Sequence, residues 1–133
     1  MVKEIKYEDG TVEQVKLPEP KRVLKPETSE EISRMLSTVV DDALRGGDVA
    51  LPHHSIGAKT GTAQMTDEGR AGYADGKYLH SFFGYFPAYD PQFIVFLFLK
   101  NPKGVNYASQ SLIPPFMNIT KFLLNYYNVP PDR

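Results

Sequence analysis

Cysteine and tryptophan are both absent from this sequence of 133 residues. Without cysteine the chain forms no disulfide bond, offers no thiolate to a metal and has no cysteine nucleophile. An excess of basic residues is lacking too, since 15 Lys+Arg stand against 16 Asp+Glu and the formal net charge is -1. This balance argues against a protein that binds nucleic acid through phosphate contacts.

Long hydrophobic runs are also missing. The apolar stretch from Ile94 to Leu99 is far shorter than the roughly 20 residues that a membrane-spanning helix needs. No charged start followed by an apolar block comes after Met1, so we predict no signal peptide in this chain. The sequence does have a hydrophobic fraction of 41%, with 8 Tyr and 8 Phe. This composition predicts a folded domain rather than a disordered chain.

The N-terminal residues 1–16 predict a surface hairpin. Asp9-Gly10 lies between two β-prone runs, and this dipeptide favours the positive φ angles of a two-residue turn. Such a turn places Tyr7 opposite Val12.

A helix is predicted over residues 26–46. Thr28 and Glu31 have the spacing of a capping box. Gly46-Gly47 is typical of a helix end, because glycine adopts the left-handed conformation there without steric cost. Apolar residues recur at helical spacing along one face, which we expect to lie in the core: Ile32, Met35, Leu36, Val39, Val40, Ala43 and Leu44.

Residues 55–100 predict a three-stranded antiparallel sheet, and residues 114–127 a C-terminal helix. The strands are Ser55–Gln64, Tyr78–Tyr85 and Phe93–Lys100, with a loop over Met65–Lys77. With two helices packed on the sheet and the hairpin added, the fold class is α+β, an α/β sandwich-like arrangement in which residues 1–133 form one piece.

A short polar stretch lies inside the first predicted strand. Lys59-Thr60-Gly61-Thr62 brings an ammonium group, two hydroxyls and a glycine together. Burying an unpaired Lys59 is expensive, so this strand should border a cleft. Because side chains alternate along a strand, Thr60 and Thr62 share one face and Lys59 lies on the other. All three reach one ligand only from an edge strand, where an extended peptide-like anion can bind.

This stretch resembles the Lys-Thr-Gly box of the penicillin-binding protein and serine β-lactamase superfamily, and the trailing Thr62-Ala63-Gln64 is typical of class B penicillin-binding proteins. Ser81–Ala88 with Asp90-Pro91 resembles the strand and turn that follow the box in that class. Pro26-Glu27-Thr28 resembles the start of its upstream helix. The resemblance covers essentially the whole chain. It implies the C-terminal part of a peptidoglycan D,D-transpeptidase domain, with an incomplete transpeptidase fold.

The resemblance implies a role for each residue of the box. Lys59 and Thr62 would be catalytic, with Lys59 near the serine nucleophile and the Thr62 backbone N–H as an oxyanion-hole donor. Lys59, Thr60, Gly61 and Thr62 would bind the substrate: the hydroxyls would hold the carboxylate of a D-alanyl-D-alanine stem peptide or a β-lactam, and Gly61 would keep the strand clear of bulk.

The nucleophile itself is missing. The family requires a serine with a lysine three positions on, yet no Ser or Thr here has Lys at that position, and Ser-x-Asn does not occur. We therefore expect this chain to be inactive alone and to need the missing N-terminal part of the domain as a partner. Without it, the Phe93–Lys100 edge would be unpaired and open to self-association.

Other functional classes remain open. One alternative is a non-catalytic module of the same superfamily that binds a peptide or a β-lactam. Another is a β-lactam sensor or β-lactamase relative, which Thr62-Ala63-Gln64 matches poorly. His53 and His54 are adjacent and point apart on a regular element, so we predict no metal site, and we expect no cofactor. The resemblance places the parent protein at the bacterial cytoplasmic membrane, with this part outside the cytoplasm.

Overall fold

A three-stranded antiparallel sheet forms the centre of the computed structural model, which describes residues 2–16, 18–67, 69 and 71–133. Its strands are β3 (Gly57–Thr66), β4 (Tyr73–Phe86) and β5 (Phe93–Lys100). The order β3-β4-β5 places β4 in the middle, which confirms the predicted antiparallel sheet of an α+β fold.

At the connection between β3 and β4, both strands extend further than predicted. Met65–Lys77 was predicted as a loop, but Thr66 pairs with Tyr73 after a register shift that follows Gln64. The irregular pairing lets both strands extend beyond the aromatic and β-branched residues that mark them in the sequence. Glu68 and Arg70 of the predicted loop lie outside the described residues.

The C-terminal helix α3 (Ile113–Tyr126) covers one face of the sheet. Phe82 and Phe86 of β4 lie on this face with Phe116 of α3, and all three are at most 1% exposed. The Phe82 and Phe116 ring centroids are 4.4 Å apart. A Cβ on Gly84 would overlap the Phe116 ring, so glycine lets α3 approach the strand closely. The predicted helix is confirmed within one residue at each end.

Helix α1 (Pro26–Thr38) packs against the other face of the sheet, whose side chains point away from α3. Ser33 Oγ lies 2.9 Å from the Tyr85 hydroxyl, and Ser37 Oγ donates to Ile56 O at 3.4 Å. Both serines are buried, whereas Ile32 is 40% and Met35 53% exposed.

The predicted core face of the helix over residues 26–46 is therefore wrong in part. Val40 and Leu44 are buried, but Ile32, Met35 and Ala43 are exposed. Small serine side chains bring the helix close to the strand and occupy the buried positions that periodicity assigns to larger apolar residues.

The predicted helix 26–46 is also less regular than expected. After Thr38 the chain forms a π-helical turn at Val39–Ala43 and an irregular turn at Leu44–Gly47, where Arg45, Gly46 and Gly47 have φ of 49°, 66° and 83°. The glycine stop is thus confirmed.

The predicted capping box at Thr28 and Glu31 is wrong. Lys25 is the N-cap, no side chain caps the helix, and Pro26 occupies the first turn, where its missing N–H and fixed φ are tolerated. Glu31 instead accepts hydrogen bonds from Arg34.

The N-terminal hairpin consists of β1 (Glu4–Lys6) and β2 (Val12–Gln14), both exposed as predicted. Its register differs by one residue, because Lys6 rather than Tyr7 pairs with Val12. Gly10, with φ of 86°, closes a three-residue loop, and Tyr7 N–H donates to Thr11 O at 2.9 Å. Three-residue loops of this kind accommodate one left-handed residue at the turn. Met1 lies outside the described residues.

The segment that leads into β3 is fixed by residues near the C-terminus. The Asp132 carboxylate accepts hydrogen bonds from the backbone N–H of Ser55, at 2.7 Å, and from its hydroxyl. Ser55 Oγ in turn accepts from Ala88 N–H at 2.8 Å. Arg133 donates two hydrogen bonds to the Asp41 carboxylate. The Ser55 contacts hold the start of β3 against the C-terminus and the connection after β4, and the Arg133 contact joins the C-terminus to the turn that follows α1.

Among the described residues, no helix combines the length and apolar character needed to cross a membrane.

Candidate functional site

The Lys-Thr-Gly box lies on β3, an edge strand of the sheet. Lys59 pairs with Phe83, Thr60 with Phe82 and Thr62 with His80 on the neighbouring strand. The predictions that the box lies on an edge strand and that Lys59 and the two threonines face opposite sides are thereby confirmed. All three side chains stand at the rim of the sheet.

Lys59 is exposed, on the face of the sheet that also carries Phe83. Its Nζ donates a hydrogen bond to the Thr60 carbonyl at 3.0 Å. Because this partner is a neutral carbonyl on the same strand, the ammonium charge stays available to an anion at the edge.

Gly61 lies between the two threonines and opposite Ser81. A Cβ at Gly61 would lie 2.6 Å from Ser81 Oγ, so even one added methyl group forces the serine to move. Glycine therefore keeps the face that carries Lys59 free of bulk at this point.

The Thr62 side chain is in contact with a segment that the sequence analysis did not single out. Thr62 Oγ1 accepts a hydrogen bond from Ala108 N–H at 3.1 Å. Ala108 begins α2 (Ala108–Ser111), a short helix between β5 and α3. The sequence around it carries no periodicity long enough to predict a helix.

His80 is the other residue of this region that the sequence analysis did not single out. Its side chain is fully buried, on the same face of β4 as Phe82 and Phe86. The two-residue periodicity of the strand was the available signal for this position, since His80, Phe82 and Phe86 are in phase.

A separate apolar cavity of about 640 Å³ lies between α1 and the part of the sheet formed by β4 and β5. Its walls include Leu24, Ile32 and Leu36 on one side and Phe83, Tyr85 and Ile94 on the other. Lys59, Thr60 and Thr62 do not line it, so this cavity is not the cleft that the sequence predicts beside the box.

Within the described residues, no group of three or more His, Cys, Asp or Glu side chains could hold a metal ion. His54 Nε2 lies 3.1 Å from Val129 O and so contributes to the contacts of the C-terminal segment.

Comparison with known proteins identifies a family for the chain. Residues 1–121 match the family described as penicillin binding protein transpeptidase domain. The chain belongs to this family.

Similar relatives are found in several bacteria. PbpB, a penicillin-binding protein of Mycolicibacterium smegmatis, is 34% identical over 130 residues, which are 92% of this chain and 20% of that protein. The probable peptidoglycan D,D-transpeptidase PenA of Neisseria meningitidis is 32% identical over 117 residues, 87% of this chain and 20% of the relative. The chain therefore spans about a fifth of the length of these relatives.

A solved structure of penicillin-binding protein 3 from Mycobacterium tuberculosis, complexed with aztreonam, has a TM-score of 0.76 and 28% identity. The match covers 99% of this chain and 31% of that one. The transpeptidase domain of penicillin-binding protein 3 from Burkholderia pseudomallei has a TM-score of 0.68 and 34% identity, over 85% of this chain and 34% of its own. The expected partial transpeptidase fold is thereby confirmed.

Proposed function

We propose that this chain is the C-terminal portion of a serine D,D-transpeptidase, whose parent protein cross-links peptidoglycan by acyl transfer from D-alanyl-D-alanine stem peptides and binds β-lactams. The observation that carries the proposal is the exposed edge strand on which Lys59, Thr60 and Thr62 lie together. The family membership of the chain and the β-lactam complexes of a structural neighbour support it.

In this proposal the edge of β3 binds the anionic end of the substrate. Thr60 and Thr62 donate hydrogen bonds to the terminal carboxylate, and Lys59 adds a positive charge at the same edge. At about 4 Å and an effective dielectric constant of about 20, two opposite unit charges attract by roughly 4 kcal/mol before desolvation is subtracted. The box therefore contributes binding and orientation.

The chain also contributes to the chemical step. The Thr62 backbone N–H would donate to the oxyanion that forms when a serine hydroxyl attacks the substrate carbonyl, and loss of one such donor slows acyl transfer by about 10² to 10³. Lys59 would lie near that serine and take part in proton transfer. The serine belongs to polypeptide outside this sequence, because Ser-x-x-Lys is absent from it.

The same absence favours a second candidate function, a non-catalytic module that binds a peptide or a β-lactam at this edge. A β-lactam sensor or β-lactamase relative fits less well, because Thr62-Ala63-Gln64 follows the box. The two functions differ in one measurable outcome: when a second segment supplies the serine, the first function predicts that this serine becomes acylated, and the second does not.

Because peptidoglycan is built outside the cytoplasm, we further propose that this part of the parent protein lies there, next to the cytoplasmic membrane.

The test of the carboxylate proposal uses this chain co-folded with a segment of the same family that bears Ser-x-x-Lys. Thr62→Val removes one hydrogen bond to a charged group, a contribution of about 1.5–3 kcal/mol, so we expect acylation by a fluorescent penicillin to slow by at least about tenfold. Thr62→Ser is the matched control, since it keeps the hydroxyl. Equal rates for all three proteins would contradict the proposal.

We also propose that β5 pairs with a strand from outside this chain. Ile94, Phe96 and Phe98 of β5 are 70%, 59% and 67% exposed, and β5 is the last strand of the sheet. An exposed apolar edge strand is a template for pairing with another chain. In the parent protein the missing part of the domain would cover it, and in the isolated chain a second copy would.

A further inference from the structure

On the strand that pairs with the Lys-Thr-Gly box, buried His80 forms hydrogen bonds with the segment Asn106–Ser111, which has no role in the proposed function. Its Nε2 lies 3.2 Å from the Asn106 carbonyl oxygen, and its Nδ1 lies 2.8 Å from Ser111 Oγ. A carbonyl oxygen only accepts, so Nε2 donates to Asn106 O, while Nδ1 and the Ser111 hydroxyl share a second hydrogen bond. The imidazole thus ties together both ends of the segment Asn106–Ser111.

Internal contacts keep this segment in one conformation. Gln110 Oε1 accepts hydrogen bonds from the backbone N–H groups of Asn106 and Tyr107, each at 3.3 Å. Ala108, in the middle of the segment, is fully buried. Its N–H therefore points at Thr62 Oγ1 from a position that is fixed at both ends.

The direction of this hydrogen bond matters for ligand binding. A threonine hydroxyl has two acceptor lone pairs and one proton. Because Ala108 N–H donates to Thr62 Oγ1, one lone pair is occupied and the proton is left for another acceptor. A carboxylate only accepts, so it requires the hydroxyl in this donating orientation.

We propose that His80 is a positioning residue for Thr62: through the segment Asn106–Ser111 it holds the Ala108 N–H on Thr62 Oγ1, so that the hydroxyl proton faces the ligand carboxylate. His80 pairs with Thr62 across the two strands, and its ring contacts the segment on the α3 side of the sheet. The inference rests on the proposed function, in which Thr62 binds that carboxylate.

The test compares His80→Met with His80→Gln in this chain co-folded with a serine-bearing segment. His80→Met removes both hydrogen bonds, and we expect acylation by a penicillin with a free carboxylate to slow by about tenfold. Acylation by the methyl ester of the same penicillin should not change. His80→Gln, whose amide can still donate to Asn106 O, should restore most of the rate. Ser111→Ala is a milder variant if His80→Met does not fold.

Thr62→Val separates this inference from the function on which it rests. In the Thr62→Val background, His80→Met should slow acylation no further. If Thr62→Val itself has no effect, the carboxylate role of Thr62 is wrong. Two outcomes would show that the positioning role is wrong when Thr62→Val does slow acylation. In the first, His80→Met slows acylation by the free acid and by the methyl ester alike. In the second, His80→Met adds to the loss caused by Thr62→Val.

Hydrogen exchange of the Ala108 amide gives a second readout that needs no acylation. The amide should be protected in the unaltered protein and in Thr62→Ser, and should exchange about tenfold faster in His80→Met and Thr62→Val. Unchanged protection in His80→Met would overturn the inference, whatever the acylation rates.

Discussion

The close approach of α3 to the sheet makes Gly84→Ala a sharp test of the packing. The new Cβ would overlap the Phe116 ring and would lie 3.1 Å from the Ala58 Cβ. Phe116 is fully buried and its ring centroid lies 4.4 Å from that of Phe82, so the ring has no free space into which to turn.

The expected loss of stability follows from two opposing effects. Overpacking a core by a methyl group costs about 1–3 kcal/mol. Replacing glycine restricts the unfolded chain and returns about 0.4–1 kcal/mol. We therefore expect Gly84→Ala to lower the free energy of unfolding by about 1–2 kcal/mol, measured by urea denaturation followed by circular dichroism.

Gly61→Ala is the matched control, because its Cβ would meet only the hydroxyl of Ser81, a half-buried side chain that can rotate. We expect its effect on stability to stay within about 0.5 kcal/mol. The penalty of Gly84→Ala should shrink when Phe116→Leu is added, since the two positions touch. Equal losses for the two glycine variants, or a penalty that Phe116→Leu leaves unchanged, would refute this packing argument.

Two further predictions concern the surface. Phe96→Lys combined with Phe98→Lys should reduce self-association of the isolated chain in light scattering, whereas Val23→Lys, at another exposed apolar position, should not; a stable monomer before any substitution would contradict the proposed edge pairing. The hydrogen bond from Arg34 lowers the pKa of Glu31, so this contact stabilises the fold above the ordinary Glu pKa and is lost as pH falls through the lowered value. An NMR titration should find that Arg34→Gln returns the Glu31 pKa towards its ordinary value, and an unchanged pKa would disprove the assignment.

The strands of the sheet were predictable because their residues carry the information locally. Aromatic and β-branched residues mark β4 and β5, and turn-forming residues separate them. The polar box within a strand required an edge, and the structure places it there.

The contacts of α1 and of α2 depend on tertiary structure and could not be predicted from local sequence patterns. Periodicity favoured Ile32 and Met35 for the core, but the buried positions are Ser33 and Ser37, because hydrogen bonds and close approach to the sheet outweigh hydrophobicity there. The contact between Ala108 and Thr62 joins residues 46 positions apart in sequence, and no local pattern encodes it.

The central claim is that this chain supplies one wall of an active site and not its nucleophile. Incubation with a fluorescent penicillin, followed by gel electrophoresis, tests it most directly. We predict no covalent label on this chain alone, and label on a serine-bearing segment of the family only when the two are co-folded. Covalent label on the isolated chain, or none on the co-folded pair, would contradict the account.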